Sequence, residues 1–119
     1  MSQRILVVDD SKVSRNVVIG LIRNRRPDAE FLEAGDGRTA LNLALAERPD
    51  LIVLDINMPD MTGLEVAEQL RLQGAGLRVA ILSANAQEAT RAKADALQVP
   101  LFRKPAKGEV IDQILALLP

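Results

Sequence analysis

The chain contains no cysteine, no histidine, no tryptophan and no tyrosine, and two phenylalanines make up its whole aromatic complement. Without cysteine there is no disulfide, no thiolate zinc site and no cysteine nucleophile. Without histidine there is no Ser-His-Asp triad, no imidazole general base and no imidazole metal ligand. The aromatic deficit leaves Leu, Ile, Val and Ala to build the core, and hydrophobic residues amount to 48% of the chain. A basic excess is missing too. Lys and Arg total 15 against 16 Asp and Glu, which argues against nucleic acid as the main partner, because phosphate backbones demand a basic stripe. No apolar run approaches the about 20 residues that cross a bilayer. The opening Met1-Ser2-Gln3-Arg4 leads into a strand-like segment without a signal-peptide pattern. The expected location is the cytoplasm.

What is present is alternation. With 119 residues the chain has the length of one domain, and one domain over 1–119 is expected. Ile5-Leu6-Val7-Val8, Leu51-Ile52-Val53-Leu54 and Val79-Ala80-Ile81-Leu82 are continuously apolar. Such runs predict strands of a parallel sheet covered on both faces. Ala29 to Ala34 and Leu101 to Arg103 predict two weaker strands. Between them, apolar residues recur at helical spacing. Val13, Val17, Val18, Leu21 and Ile22 form a stripe stopped by Pro27; Ala40, Leu41, Ala44 and Leu45 form one closed by Pro49. Leu64, Val66, Ala67 and Leu70 end near Gly74 and Gly76. Gln87 to Leu97 is polar and alanine-rich, and its Ala89, Ala92, Ala96 and Leu97 are the residues available for burial. The last helix is expected to carry Val110, Ile111, Ile114, Leu117 and Leu118. Five βα units in series imply an α/β fold, with right-handed crossovers and helices on both faces of a parallel sheet.

The residues that end the strands carry the chemistry. The first strand runs into Asp9-Asp10, the third into Asp55, the fourth into Ser83 and the fifth into Lys104. In open parallel sheets ligands bind beyond the carboxyl ends of the strands. Taken singly, each residue has an ordinary reading: a helix cap or turn for the aspartates and the serine, a solvated charge for the lysine. Together they aim three carboxylates, a hydroxyl and an ammonium at one rim. Crowded carboxylates repel and raise one another's pKa, and an oxygen-loving divalent cation such as Mg²⁺ relieves that. A carboxylate can also attack phosphorus to give an acyl phosphate, with the charge met by metal, lysine and hydroxyl.

In Val7-Val8-Asp9-Asp10-Ser11, Leu54-Asp55-Ile56-Asn57-Met58-Pro59 with Gly63, Ser83-Ala84 and Lys104-Pro105, the sequence resembles the receiver domain of bacterial two-component response regulators. The resemblance runs through essentially the whole chain, in order. It implies a flavodoxin-like (βα)5 fold, a doubly wound five-stranded parallel sheet of strand order 2-1-3-4-5. It further implies Asp55 as phosphoacceptor and Asp9 and Asp10 as the acidic pair holding Mg²⁺, for which Mn²⁺ can substitute. Direct ligation would come from Asp10 and Asp55, with the Asn57 backbone carbonyl as a further ligand. Ser83 and Lys104 would bind the phosphoryl group, and Lys104-Pro105 would be a cis peptide. The implied partners are a histidine kinase or histidine phosphotransfer domain upstream and a protein target or output domain downstream. A homodimer on phosphorylation is left open, and neither nucleic acid nor membrane is bound directly. The domain would support its own phosphorylation and dephosphorylation without being an enzyme on an outside substrate.

One position departs from the family pattern. Leu101 stands where the family places Tyr or Phe, and Phe102 should point to the opposite strand face. Signalling is therefore expected to run through the loop around Ser83 and Asn85, with the Gln87–Leu97 helix following, and to leave by the face of helix 4, strand 5 and helix 5, including Leu97, Val99, Leu101 and Lys107. The alternatives are a phosphorylation-independent adaptor on the same fold and a Mg²⁺-dependent phosphatase with an aspartyl nucleophile. The phosphatase is disfavoured by Asn57, where such enzymes carry a second Asp. A flavin module is disfavoured by the missing aromatics and by Asp9-Asp10, which would repel a phosphate.

Overall fold

The computed structural model describes residues 2–84 and 87–119. Five strands, β1 (Arg4–Val8), β2 (Glu30–Ala34), β3 (Leu51–Leu54), β4 (Val79–Ser83) and β5 (Leu101–Arg103), alternate with five helices. The helices are α1 (Lys12–Arg25), α2 (Gly37–Glu47), α3 (Gly63–Leu72), α4 (Glu88–Ala96) and α5 (Gly108–Leu115). All strand pairs are parallel, in the order β2-β1-β3-β4-β5. The fold is flavodoxin-like, and the order reverses between β1 and β3, so a crevice opens beyond the ends of those two strands.

Successive strand residues face opposite ways, and this divides the apolar runs into two cores. Ile5, Val7, Leu51, Val53, Ala80 and Leu82 face α1 and α5, meeting Val18, Ile19, Ile22, Ile111 and Ile114. Leu6, Val8, Ile52 and Leu54 face α2 and α3, meeting Ala40, Leu41, Ala44, Val66, Ala67 and Leu70. The central strands β1 and β3 are buried on both faces, which is why they read as unbroken apolar runs.

Helix ends are set by caps that lie just outside the apolar stripes. Ser11 accepts from the Ser14 amide at α1, Asp36 from Thr39 at α2, and Thr62 from Glu65 at α3. Thr62 and Glu65 form a reciprocal capping box. Two helix expectations are corrected. The last helix stops at Leu115, and Leu117 and Leu118 lie in the following turn, still packed against the α1–α5 core. In α4 the buried residues are Thr90 and Ala94, while Ala89, Ala92 and Ala96 are exposed and Leu97 is half-buried. Thr90, Ala94 and Leu97 lie at i, i+4 and i+7, one stripe of an α-helix; Ala89, Ala92 and Ala96, at i, i+3 and i+7, share a second face that is exposed. Ala94 docks onto a small cluster with Ile56 and Ile81, bordered by Leu64, Val99 and Leu101.

Candidate functional site

The rim at the carboxyl ends of β1, β3, β4 and β5 collects Asp9, Asp10, Asp55, Ser83 and Lys104. Carboxylate oxygens of Asp9, Asp10 and Asp55 lie within 4.8 Å of one another. Asp9 and Asp55 are buried and Asp10 is exposed, so the cluster is open to solvent on one side. The Lys104 ammonium lies across two of them, 2.7 Å from Asp9 Oδ2 and 3.5 Å from Asp55 Oδ2. Ser83 is fully buried and its hydroxyl hydrogen-bonds the Asp55 carboxylate. The Lys104–Pro105 peptide is cis. Asn57 lies two residues beyond Asp55 in the β3–α3 loop, with an exposed side chain.

The ordinary cap role at α1 falls to Ser11, leaving the aspartates otherwise engaged. Asp9 Oδ1 accepts from the Ser11 amide at 2.9 Å, and Asp55 Oδ1 accepts from its neighbour Ile56 at 2.8 Å. Each buried carboxylate thus has one oxygen held by backbone and the other directed at Lys104. Burial pushes the Asp55 carboxyl above the usual carboxylate value. Lys104 opposes that shift, the Asp9 charge adds to it, and the Ile56 and Ser83 hydrogen bonds resist it. For Lys104, burial alone would lower the pKa, but the hydrogen bond to Asp9 and the charges of Asp55 and Asp9 outweigh it and raise it. The ammonium is therefore held charged as a counter-ion to an over-acidic rim.

The donor set is entirely hard oxygen, with no nitrogen or sulfur ligand, which suits Mg²⁺ or Mn²⁺ and not zinc or copper. The metal would enter from the open side, where Asp10 is exposed.

Leu101 does not join the rim. It faces the cluster of Ile56, Ile81 and Ala94, whereas Phe102 packs in the α1–α5 core on the other sheet face. Leu97 and Val99 are half-buried and Lys107 is exposed. The expectation attached to Asn85 falls outside the described residues.

Two residues that hold the β3–α3 loop were not singled out by sequence as structural supports. Asp60 accepts from the amides of Gly37 at 2.8 Å and Arg38 at 2.9 Å, so the loop beyond Asp55 is fastened to the start of α2. These amide bonds hold the Asp60 carboxyl below the usual value. Gly63 donates its amide to Ile56 at 3.0 Å, and a Cβ there would overlap the Asp55 carbonyl. Met-Pro-Asp-Met-Thr-Gly offers turn residues but no local sign of which helix the aspartate reaches.

Comparisons with known proteins give a consistent placement. The family model of the response regulator receiver domain matches residues 5–116. Response regulator MprA of Mycolicibacterium vanbaalenii is 39% identical over 120 residues, covering 99% of this chain and 51% of that protein. The protein-glutamate methylesterase/protein-glutamine glutaminase of Treponema denticola is 39% identical over 110 residues, covering 89% of this chain but 29% of its own length. The chain thus spans about half of the first of these curated relatives and less than a third of the second. Among solved structures, chemotaxis protein CheY4 of Vibrio cholerae superposes with a TM-score of 0.86 at 28% identity, covering 100% of both chains. The signal receiver domain of NarL from Mycobacterium tuberculosis does so at 0.87 and 28%, covering 97% of this chain and 94% of that one. With a strand-end rim of this kind on a 2-1-3-4-5 sheet, and a family match running from β1 through α5, this chain belongs to the response regulator receiver domain family.

Proposed function

We propose that the chain is a phosphorylation-activated switch that accepts a phosphoryl group on Asp55 from a phosphohistidine of a histidine kinase or phosphotransfer domain. The observation that carries this reading is the Lys104 ammonium lying between two buried carboxylates, beside a third that is exposed. An Asp55 oxygen attacks phosphorus; an O–P bond forms as the N–P bond of the donor breaks and imidazole leaves. Lys104 exchanges a carboxylate partner for a phosphoryl oxygen, and the Ser83 hydroxyl offers a second donor. Asp10, Asp55 and the Asn57 carbonyl, with Asp9 behind them, would hold Mg²⁺, which supplies charge neutralisation for the carboxylates and the phosphoryl oxygens. The raised pKa of Asp55 fits a carboxylate that is desolvated until a cation arrives.

The donor needs a place to dock beside this rim. An apolar groove of about 450 Å³ runs from Val13, Val17 and Val18 of α1 to Ala84, Pro105 and Ala106, with Lys104 in its wall. Val13 and Val17 are 73% and 49% exposed, large for apolar residues, and a helix of the donor laid there would present its histidine to Asp55. Phosphorylation adds about two negative charges and three strong acceptors, drawing Ser83 and the chain leading into α4. With only Thr90 and Ala94 buried, α4 is lightly docked and suited to move. The signal then passes to a protein target or output domain through the α4-β5-α5 face. A cytoplasmic setting follows from such partners, and no helix among the described residues is long and apolar enough to cross a membrane.

Intact mass after incubation with acetyl phosphate and Mg²⁺ tests the proposal. One phosphoryl adduct is expected, lost with EDTA and absent from Asp55→Asn. If neither acetyl phosphate nor the stable mimic beryllium fluoride reacts at Asp55, the phosphorylation-independent adaptor becomes the better reading.

A further inference from the structure

We propose that Arg15, on the first turns of α1, is a positioning residue that sets the cation affinity of the acidic pair. This inference rests on the reading of Asp9, Asp10 and Asp55 as a metal-binding rim and names what holds that rim in shape. The Arg15 guanidinium donates from Nη1 to the Asp9 backbone carbonyl at 2.6 Å and from Nε to Glu33 Oε1 on β2 at 2.9 Å. Its side chain is 16% exposed, so this is a largely desolvated fork and not a dangling surface charge. Gly35 leaves the space it occupies: a Cβ there would stand 3.3 Å from Arg15 Nη1 and 3.9 Å from the Asp9 carbonyl oxygen.

The carbonyl that Arg15 grips belongs to the peptide joining Asp9 to Asp10. The peptide before it is held as well, since the Asp9 amide, in the Val8–Asp9 unit, donates to the Ala34 carbonyl at 3.1 Å. The plane of the Asp9–Asp10 peptide decides where the Asp10 Cα sits, and hence where its exposed carboxylate points relative to Asp55. β1 ends at Val8, so no ladder hydrogen bond holds this carbonyl, and Arg15 takes that place. A planar, five-donor guanidinium can serve the carbonyl and Glu33 together, which a lysine ammonium in the same place would do poorly. The ion pair with Glu33, whose side chain is 43% exposed, adds little stability by itself. Its role is to orient the fork.

The sign of the effect separates positioning from plain electrostatics. Arg15 is a positive charge near a cation site, so by Coulomb's law alone its removal would tighten Mg²⁺ binding. Loss of a residue that orients metal ligands typically weakens metal affinity by about 10–100-fold. Isothermal titration of the full chain with MgCl₂ at fixed ionic strength measures the difference, with thermal melts recorded alongside. We expect Arg15→Gln to bind Mg²⁺ about 10-fold or more weakly. Arg15→Lys, which keeps the charge but not the fork, should fall between Arg15→Gln and the unaltered protein. Because Arg15→Lys preserves charge and stem, it carries the test should Arg15→Gln fail to fold. Equal or tighter binding by a folded variant overturns the positioning role and leaves the metal-binding rim standing. An unaltered protein that takes up no Mg²⁺ overturns both.

Discussion

Adding one methyl group at Gly63 is expected to damage the protein far more than the same change at Gly20, and the contacts allow the size to be worked out. Gly63 is buried at the start of α3, directly against the backbone of Asp55. A Cβ built there overlaps the Asp55 carbonyl oxygen, stands 2.9 Å from the Asp55 carbonyl carbon and 3.1 Å from the Ile56 Cα. Comfortable carbon contacts lie at about 3.5–4.0 Å. The β3–α3 loop must therefore give way by roughly 1 Å, and every atom in contact is backbone, which cannot rotate aside as a side chain could. Overpacking of this kind costs about 1–3 kcal/mol and occasionally more; with rigid partners we expect about 3 kcal/mol. An unfolding entropy of about 2.1 cal/mol/K per residue, taken over 119 residues, converts that to a Tm lower by about 12 °C. Gly20 lies on the exposed side of α1, with nothing within 4 Å of an added Cβ. There alanine should stabilise by about 0.5–1 kcal/mol through helix propensity, a Tm higher by about 2–4 °C. Thermal melts followed by far-ultraviolet circular dichroism read both. The displacement in Gly63→Ala also falls on Asp55 itself, so its acetyl-phosphate labelling rate should drop by about 100-fold. A Gly63→Ala protein that melts within about 2 °C of the unaltered chain, or labels at its rate, would refute the close-contact reasoning.

Asp60→Asn should lower the urea midpoint at neutral pH, because a charge-assisted anchor for the Gly37 and Arg38 amides is weakened. The folded state depresses the Asp60 pKa below 3.8, so this stabilisation is fully present above that value and is lost as pH falls through the folded value. The gap between the two proteins should be constant from about pH 7 to 5 and close in stronger acid; a gap that persists unchanged there would show that the carboxylate charge is not its source. Leu101→Ala should cost about 1–2 kcal/mol, below the range for a fully buried leucine, since Leu101 is only half-buried beside Ile56 and Ile81. Its Asp55 labelling should be unchanged, and beryllium fluoride should still alter hydrogen exchange across α4. Disappearance of that response would identify Leu101 as the switch element in place of the Ser83 loop.

Much of this was legible because the informative patterns are local. Ile5 to Val8 and Leu51 to Leu54 read as central parallel strands, since burial on both faces removes polar alternation. The polar residues closing those runs read as a rim, since parallel strands all deliver their carboxyl ends to the same side of the sheet. The capping box of Thr62 and Glu65 is equally visible as Thr-x-x-Glu before an apolar stripe. Alanine-rich α4 was harder. It offers two stripes at helical spacing, Ala89-Ala92-Ala96 and Thr90-Ala94-Leu97, so composition could not say which face docks, and Thr90 with Ala94 took the place expected of Ala89, Ala92 and Ala96. At α5 the apolar stripe continues through Leu117 and Leu118 although the helix ends at Leu115; burial and helicity part company at a terminus, where a turn can bury the same side chains.

Sequence by itself determined the class of fold, the order of its elements and the chemical character of the rim, because periodicity and strand-end residues are properties of short segments. Tertiary structure alone decided which oxygen of each carboxylate meets Lys104, that Asp60 reaches back 23 residues to α2, and that Arg15 joins the Asp9 carbonyl to Glu33 on β2. Those partners come from elements that meet only when the helices dock on the sheet. A long polar side chain has many partners within reach along the chain, and only the packed arrangement leaves it one.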